Sequence, residues 1–146
     1  VYNDIGEIYS VQGDDFKALD YFKKSLKIVL SVYGENHSQV SSIYDHIGEV
    51  YFAQKDYSKA LYYFEESLKI RLSLFGENHP EVALSYYSIG SLYIIQGDKS
   101  KALNYYEKSL KIRLSVYGEN HPLTKEIMDL INVANSKVLQ SPETTK

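Results

Sequence analysis

No cysteine occurs in the 146 residues, so disulfides and cysteine-ligated metal are excluded. A helical domain without such staples is at home in the cytosol, and a cytoplasmic location is the expectation. Tryptophan is absent and proline is limited to three. Excess basic charge is missing as well. The formal net charge is −3, whereas an electrostatic nucleic-acid binder carries a basic patch, so nucleic acid is not an expected partner. No run approaches roughly eighteen consecutive apolar residues, so no membrane partner is expected either. The opening residues Val1-Tyr2-Asn3-Asp4-Ile5-Gly6 have neither the basic start nor the apolar run of a signal peptide. No Met stands first, and the chain reads as a piece of something longer.

The motifs of catalysis are missing too. There is no Gly-x-x-x-x-Gly-Lys-Ser/Thr phosphate loop and no Gly-x-Ser-x-Gly elbow. Glu65 and Glu66 are neighbours on a predicted helix and read as a solvated face rather than an acid–base pair. The expectation is a protein that is not an enzyme and needs no cofactor.

What is abundant is tyrosine, with 15 copies, and repetition. Gly34-Glu35-Asn36-His37 recurs as Gly76-Glu77-Asn78-His79 and as Gly118-Glu119-Asn120-His121, each copy 42 residues from the last. Gly6, Gly48 and Gly90 keep that interval, as do Tyr9, Tyr51 and Tyr93, and Ala18, Ala60 and Ala102. Between 43–84 and 85–126, 24 of 42 positions are identical. A period in this range means stacked supersecondary units, each unable to bury its apolar face alone. A repeated tyrosine in a repeated core accounts for most of the 15.

Each unit contains two helices. Tyr44, Ile47, Gly48 and Tyr51 fall on one face of a first helix, A. Asp56 after a short turn is a suitable N-cap. Ala60, Leu61, Phe64, Leu68 and Leu72 then mark a second helix, B. Gly76 closes it in the manner of a left-handed C-terminal glycine. Pro80 and Pro122 suit the first turn of the next helix A. Helices are predicted near 2–11, 15–31, 38–53, 57–73, 80–95, 99–115 and 123–139. The helix A glycines should let helix B approach closely. The last helix carries Ile127, Leu130, Ile131 and Ala134 but has Asn132 at the glycine position, and reads as a cap.

These residues resemble the tetratricopeptide repeat, which wants a bulky residue, a Leu-like residue, Gly and Tyr on helix A, then Ala, an aromatic and a small residue on helix B. Tyr2, Ile5, Gly6, Tyr9, Ala18, Phe22 and Ser25 match in the first unit. Tyr44, Ile47, Gly48, Tyr51, Ala60, Phe64 and Ser67 match in the second, and Tyr86, Ile89, Gly90, Tyr93, Ala102, Tyr106 and Ser109 in the third. The period of 42 and the Gly-Glu-Asn-His-Pro junction resemble the kinesin-light-chain subclass. That subclass has Asn two positions before the helix A Gly, where this chain has Asp4, His46 and Ser88. The resemblance implies an all-α, right-handed superhelical solenoid over residues 1–140. Its repeats lie at about 1–37, 38–79 and 80–121 and its capping helix at about 122–140; the polar composition of residues 141–146 predicts a disordered tail.

The resemblance also implies a protein-binding scaffold whose A helices line a concave groove for a peptide or helix. Carried over by position, the groove stripe is Asn3, Glu7 and Ser10, then Asp45, Glu49 and Phe52, then Tyr87, Ser91 and Ile94, extended by Asp129 and Ser136. Phe52, Tyr87 and Ile94 are apolar where solvation favours polar groups. Relatives that grip a terminal carboxylate use Lys and Asn. The matching positions here are Asn3, Glu7, His46, Leu84 and Ser88, so that clamp is broken. The acids Glu7, Asp45 and Glu49 point instead to a protein or peptide partner with basic and apolar residues. The alternative is self-association as a homo-oligomer through the apolar flank of helix 1–12. His37, His79 and His121 read as turn and capping residues rather than metal ligands, because neighbouring hairpins are about 8–10 Å apart. His46 reads as an isolated helical histidine. Lys27, Lys69 and Lys111, with Arg71 and Arg113, read as a solvated row near helix C-termini.

Overall fold

In a computed structural model, residues 1–139 are described, with side chains described to 136. The expected tail, 141–146, and residue 140 lie outside them. Seven α-helices occur among the described residues: α1 (Tyr2–Val11), α2 (Asp15–Tyr33), α3 (Ser38–Ala53), α4 (Tyr57–Phe75), α5 (Pro80–Ile95), α6 (Lys99–Tyr117) and α7 (Pro122–Leu139). The expected all-α architecture is present: α1–α2, α3–α4 and α5–α6 pair as hairpins and α7 packs on α6. None of these helices is long and apolar enough to cross a membrane. Two compact units are formed, Val1–Gly76 and Glu77–Lys146.

Helix starts follow from short polar groups. The carboxylates of Asp14, Asp56 and Asp98 accept from the backbone N–H of Lys17, Lys59 and Lys101 at 3.1–3.3 Å, satisfying donors that the first turn leaves open. His37, His79 and His121 do the same with Nδ1, accepting from Gln39, Glu81 and Leu123 at 3.1–3.2 Å. Their reading as capping residues holds. The B helices end two residues later than predicted, at Tyr33, Phe75 and Tyr117. The helix runs up to the glycine itself, whose N–H closes a last bond to the carbonyl of Leu30, Leu72 or Leu114. The predicted left-handed helical form is corrected. Gly76 has φ 76° and ψ −178°, an extended conformation with positive φ that only glycine adopts readily.

In the first unit, Ala18 and Phe22 of α2 pack with Ile43, Ile47 and Val50 of α3, with Leu26 and Val29 alongside. Burying such side chains stabilises by about 1.5–3 kcal/mol each for the larger ones. Gly48 lies under Phe64 of α4, as Gly6 lies under Phe22. In the second unit, Gly90 lies under Tyr106, and the buried Ser109 donates to the carbonyl of Ala83 at 2.8 Å. Ile127 and Ala134 of α7 are buried, while Asn132 is exposed.

Each hairpin also carries a tyrosine triplet. Tyr9 stacks on Tyr21, Tyr51 on Tyr63 and Tyr93 on Tyr105, with centroids 5.5–5.7 Å apart. Tyr2, Tyr44 and Tyr86 tilt against the same helix B rings at 5.7–6.0 Å. Offset and tilted geometries suit the ring quadrupole. Nine of the tyrosines are thereby structural, as the repetition implied.

Candidate functional site

The helix A stripe of the first unit is a polar network. Asn3 Nδ2 donates to Glu7 Oε1 at 2.7 Å, one turn along α1. His46 of α3 faces both residues. Its Nδ1 is 3.2 Å from Asn3 Oδ1 and its Nε2 is 3.7 Å from Glu7 Oε1. Its ring lies 5.2 Å from the Phe22 ring. Among the described residues, His46 has no Cys or His beside it, as read from the sequence, but meets Asn3 and Glu7 across the α1–α3 contact. A helical repeat of contacts between α1 and α3 cannot be seen from spacing within one helix.

Asp45 meets a partner that sequence reasoning misplaced. Its Oδ2 is 2.6 Å from Arg71 Nη1. Arg71 is only 3% exposed, so it does not belong to a solvated basic row; the correction applies to Arg113 as well. Burial pushes the Asp45 carboxyl up from its ordinary value, and the Arg71 guanidinium opposes that. Glu49 is exposed, yet its carboxyl is also pushed up. Partial desolvation is the main cause, His46 opposes it, and the neighbouring Asp45 and Glu7 add to it. The signal for the arginines was their recurrence at 71 and 113 between apolar residues, where a solvated row would favour lysine.

The second unit treats its buried arginine differently. Arg113 Nη1 donates to the Leu123 carbonyl at 2.9 Å, and Thr124 Oγ1 donates to the Arg113 carbonyl at 3.3 Å. Tyr87 covers the guanidinium, its ring centroid 5.2 Å from Arg113 Cζ, and donates its hydroxyl to Glu126 at 3.3 Å. Burial pulls Arg113 below its ordinary value, with Glu126 opposing. Ser91 Oγ is 3.1 Å from the Tyr106 hydroxyl. Asp45 and Tyr87 are thus equivalent positions that each stand over a buried arginine, one by charge and one by its π-face.

The structure therefore brings together Asn3, Glu7 and His46, with Glu49 and Asp45 in electrostatic reach. Ser10, Phe52 and Ile94 are half-buried. The Phe52 ring meets Tyr57 edge-on at 5.8 Å. Asp129 and Ser136 of α7 are exposed, and Ser136 turns its hydroxyl back to its own helix. Among the described residues, no group of three or more His, Cys, Asp or Glu is placed to hold a metal. Two carboxylates near an imidazole, with an aromatic edge one turn on, can bind a cationic side chain.

A family profile described as tetratricopeptide repeat matches residues 1–73 and 42–115. No curated protein matches the chain by sequence. Among solved structures, BtubC (BKLC) from P. vanneervenii is 20% identical, with a TM-score of 0.77 over 99% of this chain and 66% of that one. A kinesin-light-chain protein of nearly identical TPR-like repeats from Podosopora anserina is 16% identical, with a TM-score of 0.80 over 95% of this chain and 67% of its own. The N-terminal domain of stress-induced protein-1 from C. elegans is 21% identical, with a TM-score of 0.62 over 88% and 91%. At such identities the likeness is one of fold. The chain spans 66% and 67% of the length of the first two.

Proposed function

This chain belongs to the tetratricopeptide repeat family, whose members are protein–protein interaction scaffolds, and we propose that it binds a basic, partly apolar segment along its helix A stripes. The partner is a peptide or helix of another protein, and a cytoplasmic setting goes with that reading. The observation that carries it is the crowding of Glu7 and Glu49 around His46, with Asp45 already committed to Arg71. Like charges held close are relieved by an incoming cation. Phe52, on the same stripe of the first unit, supplies apolar surface. Exposed ion pairs contribute only about 0–1 kcal/mol each. Apolar contact would carry affinity, and the acids would set selectivity and on-rate.

The test is Glu7→Lys with Glu49→Lys, titrated against basic and acidic peptide libraries. Wild type should prefer the basic set, and the double variant should lose that preference. Equal binding of the basic set by both proteins would sink the reading, as would a wild-type preference for acidic peptides.

A second reading, self-association, rests on one comparison. Ile8 of α1 is 56% exposed, while Val50, its equivalent on α3, is 1% exposed in the core. An apolar side chain at a core position without cover favours a second copy. Light scattering across concentration, with Ile8→Glu as the control, separates this from a monomeric scaffold.

A further inference from the structure

The three hairpins differ at one position in a way that points to a ligand. In the first hairpin Lys24 places its ammonium 5.0 Å from the Tyr21 ring centroid. In the third, Lys108 lies 5.3 Å from Tyr105 and 5.5 Å from Tyr86. The tyrosine pair of a hairpin therefore accepts an ammonium over its rings. In the middle hairpin the same position is Glu66, and the pair is Tyr44 and Tyr63. Among the described residues, no cation lies over either ring.

That hairpin adds two further features. Tyr62, where the others have Asp20 and Asn104, turns edge-on to Tyr63 at 5.2 Å and 81° and is 57% exposed. A hollow of about 430 Å³ opens there, lined by Tyr44, Tyr62, Glu66 and Glu35 among others. We propose that this hollow is a seat for the ammonium of a lysine side chain on a partner protein. The rings of Tyr44 and Tyr62 line the hollow and supply the π-face and edge that attract a cation, with Tyr63 packed against both. Glu66 and Glu35 supply the counter-charge. Burial raises the Tyr44 hydroxyl, and Tyr62, Glu66 and Glu35 all act on it in the same sense, so both carboxylates are in electrostatic reach of the ring. Lys69 also lines the hollow and comes within 3.9 Å of Glu66, but it is 78% exposed, and so loose a surface pair contributes little against an incoming lysine. None of these residues belongs to the Asn3–Glu7–Asp45–Glu49 stripe, so the two sites stand or fall separately.

The chain supplies its own control. Glu66→Lys recreates the arrangement of the first and third hairpins, so it folds, and it fills the seat from within. The experiment is an NMR titration of the protein with Nα-acetyl-lysine methylamide, against the uncharged Nα-acetyl-norleucine methylamide. The lysine probe should shift the Tyr44, Tyr62 and Tyr63 ring signals saturably in the millimolar range, and leave Tyr21 and Tyr105 unmoved. The norleucine probe should not. Glu66→Lys should weaken lysine binding by about tenfold or more, the scale of one lost cation–ring and ion-pair contact. Equal shifts from both probes, undiminished binding by Glu66→Lys, or no saturable shift would each overturn the proposal.

Discussion

Phe64 occupies the space that a side chain on Gly48 would need: its Cε1 lies 2.7 Å from the position of a Cβ there. The ring is 5% exposed and cannot swing away. Glycine in a helix costs about 1 kcal/mol against alanine, so the close approach of α4 must outweigh that. Gly48→Leu should therefore overpack the hairpin and lose about 1–3 kcal/mol. Thermal denaturation of the single variant, and of Gly48→Leu with Phe64→Leu, checks it. The pair should recover part of the loss. A single variant that melts no earlier than wild type would remove the steric account.

Lys55 holds φ 63°, where the equivalent turns use Gly13 and Gly97. A side chain with left-handed backbone is disfavoured by about 1–2 kcal/mol, offset by the larger unfolded-state freedom of glycine, about 0.5–1 kcal/mol. Lys55→Gly should stabilise by roughly 0.5–1 kcal/mol. Gly97→Lys should destabilise by a similar amount. A urea titration measures both, and a loss on Lys55→Gly would contradict the argument.

α7 is fastened through the buried Arg113, which reaches the Leu123 carbonyl while Thr124 reaches back to it. Arg113→Ala takes from the Leu123 carbonyl its donor and from Glu126 its cation, leaving the Tyr87 hydroxyl on Glu126. Losing one member of such a group costs about 3–5 kcal/mol when fully buried, and less here because Glu126 is half exposed and 4.0 Å away. Amide exchange in α7 should accelerate more than in α5. Deleting 123–146 should lower the melting temperature or cause aggregation, since it bares the face of α6 on which α7 packs. An unchanged, monomeric truncation would count against it.

Glu49 is held above its ordinary value of 4.5 in the free protein. The sign is that of a group whose charged form is penalised on folding. Its contribution to stability is greatest below the ordinary value and is lost as pH rises through the folded one. Glu49→Gln should therefore raise the melting temperature at neutral pH, with the gain vanishing near pH 4.5. A cationic ligand favours the carboxylate, so affinity for basic peptides should fall as the pH drops through the same window. A pH-independent affinity would mean that Glu49 does not meet the ligand.

Much of this architecture was legible in the sequence because each hairpin repeats one local code. Asp56, Gly76 and Pro80 punctuate it, and Gly48 with Phe64 marks the close packing. The B helices run two residues past their predicted ends, where Tyr33 and Tyr117 extend their helices and stack on His37 and His121 at 4.3 Å, a contact across the junction that periodicity within a helix does not show. The candidate site was less legible. The environment of His46 depends on Asn3 and Glu7, some forty residues earlier, and Arg71 looked like one more surface cation beside Lys69. Periodicity places a residue on a face; it does not tell which residue of another helix meets it. The tyrosine seat emerged only when equivalent positions in the three hairpins were compared in space, since Glu66 alone looks solvated.

The Gly48 and Gly90 seats are nearly interchangeable, and this bears on how the chain finds its native pairing. Either α4 or α6 presents an aromatic ring and an alanine carbonyl to a glycine on a preceding helix, so a folding chain could join α3 to α6. Two features decide against it. The connections at 54–56 and 96–98 are three residues long, so each helix meets its own neighbour first, as low contact order favours. The Tyr106 hydroxyl would also exchange its Ser91 partner at 3.1 Å for the carboxylate of Glu49, so the second feature is a difference in fit rather than a lost bond. Lengthening the 54–56 connection removes the first safeguard, and hairpin exchange between molecules becomes the kinetic hazard of a chain built from copies of itself.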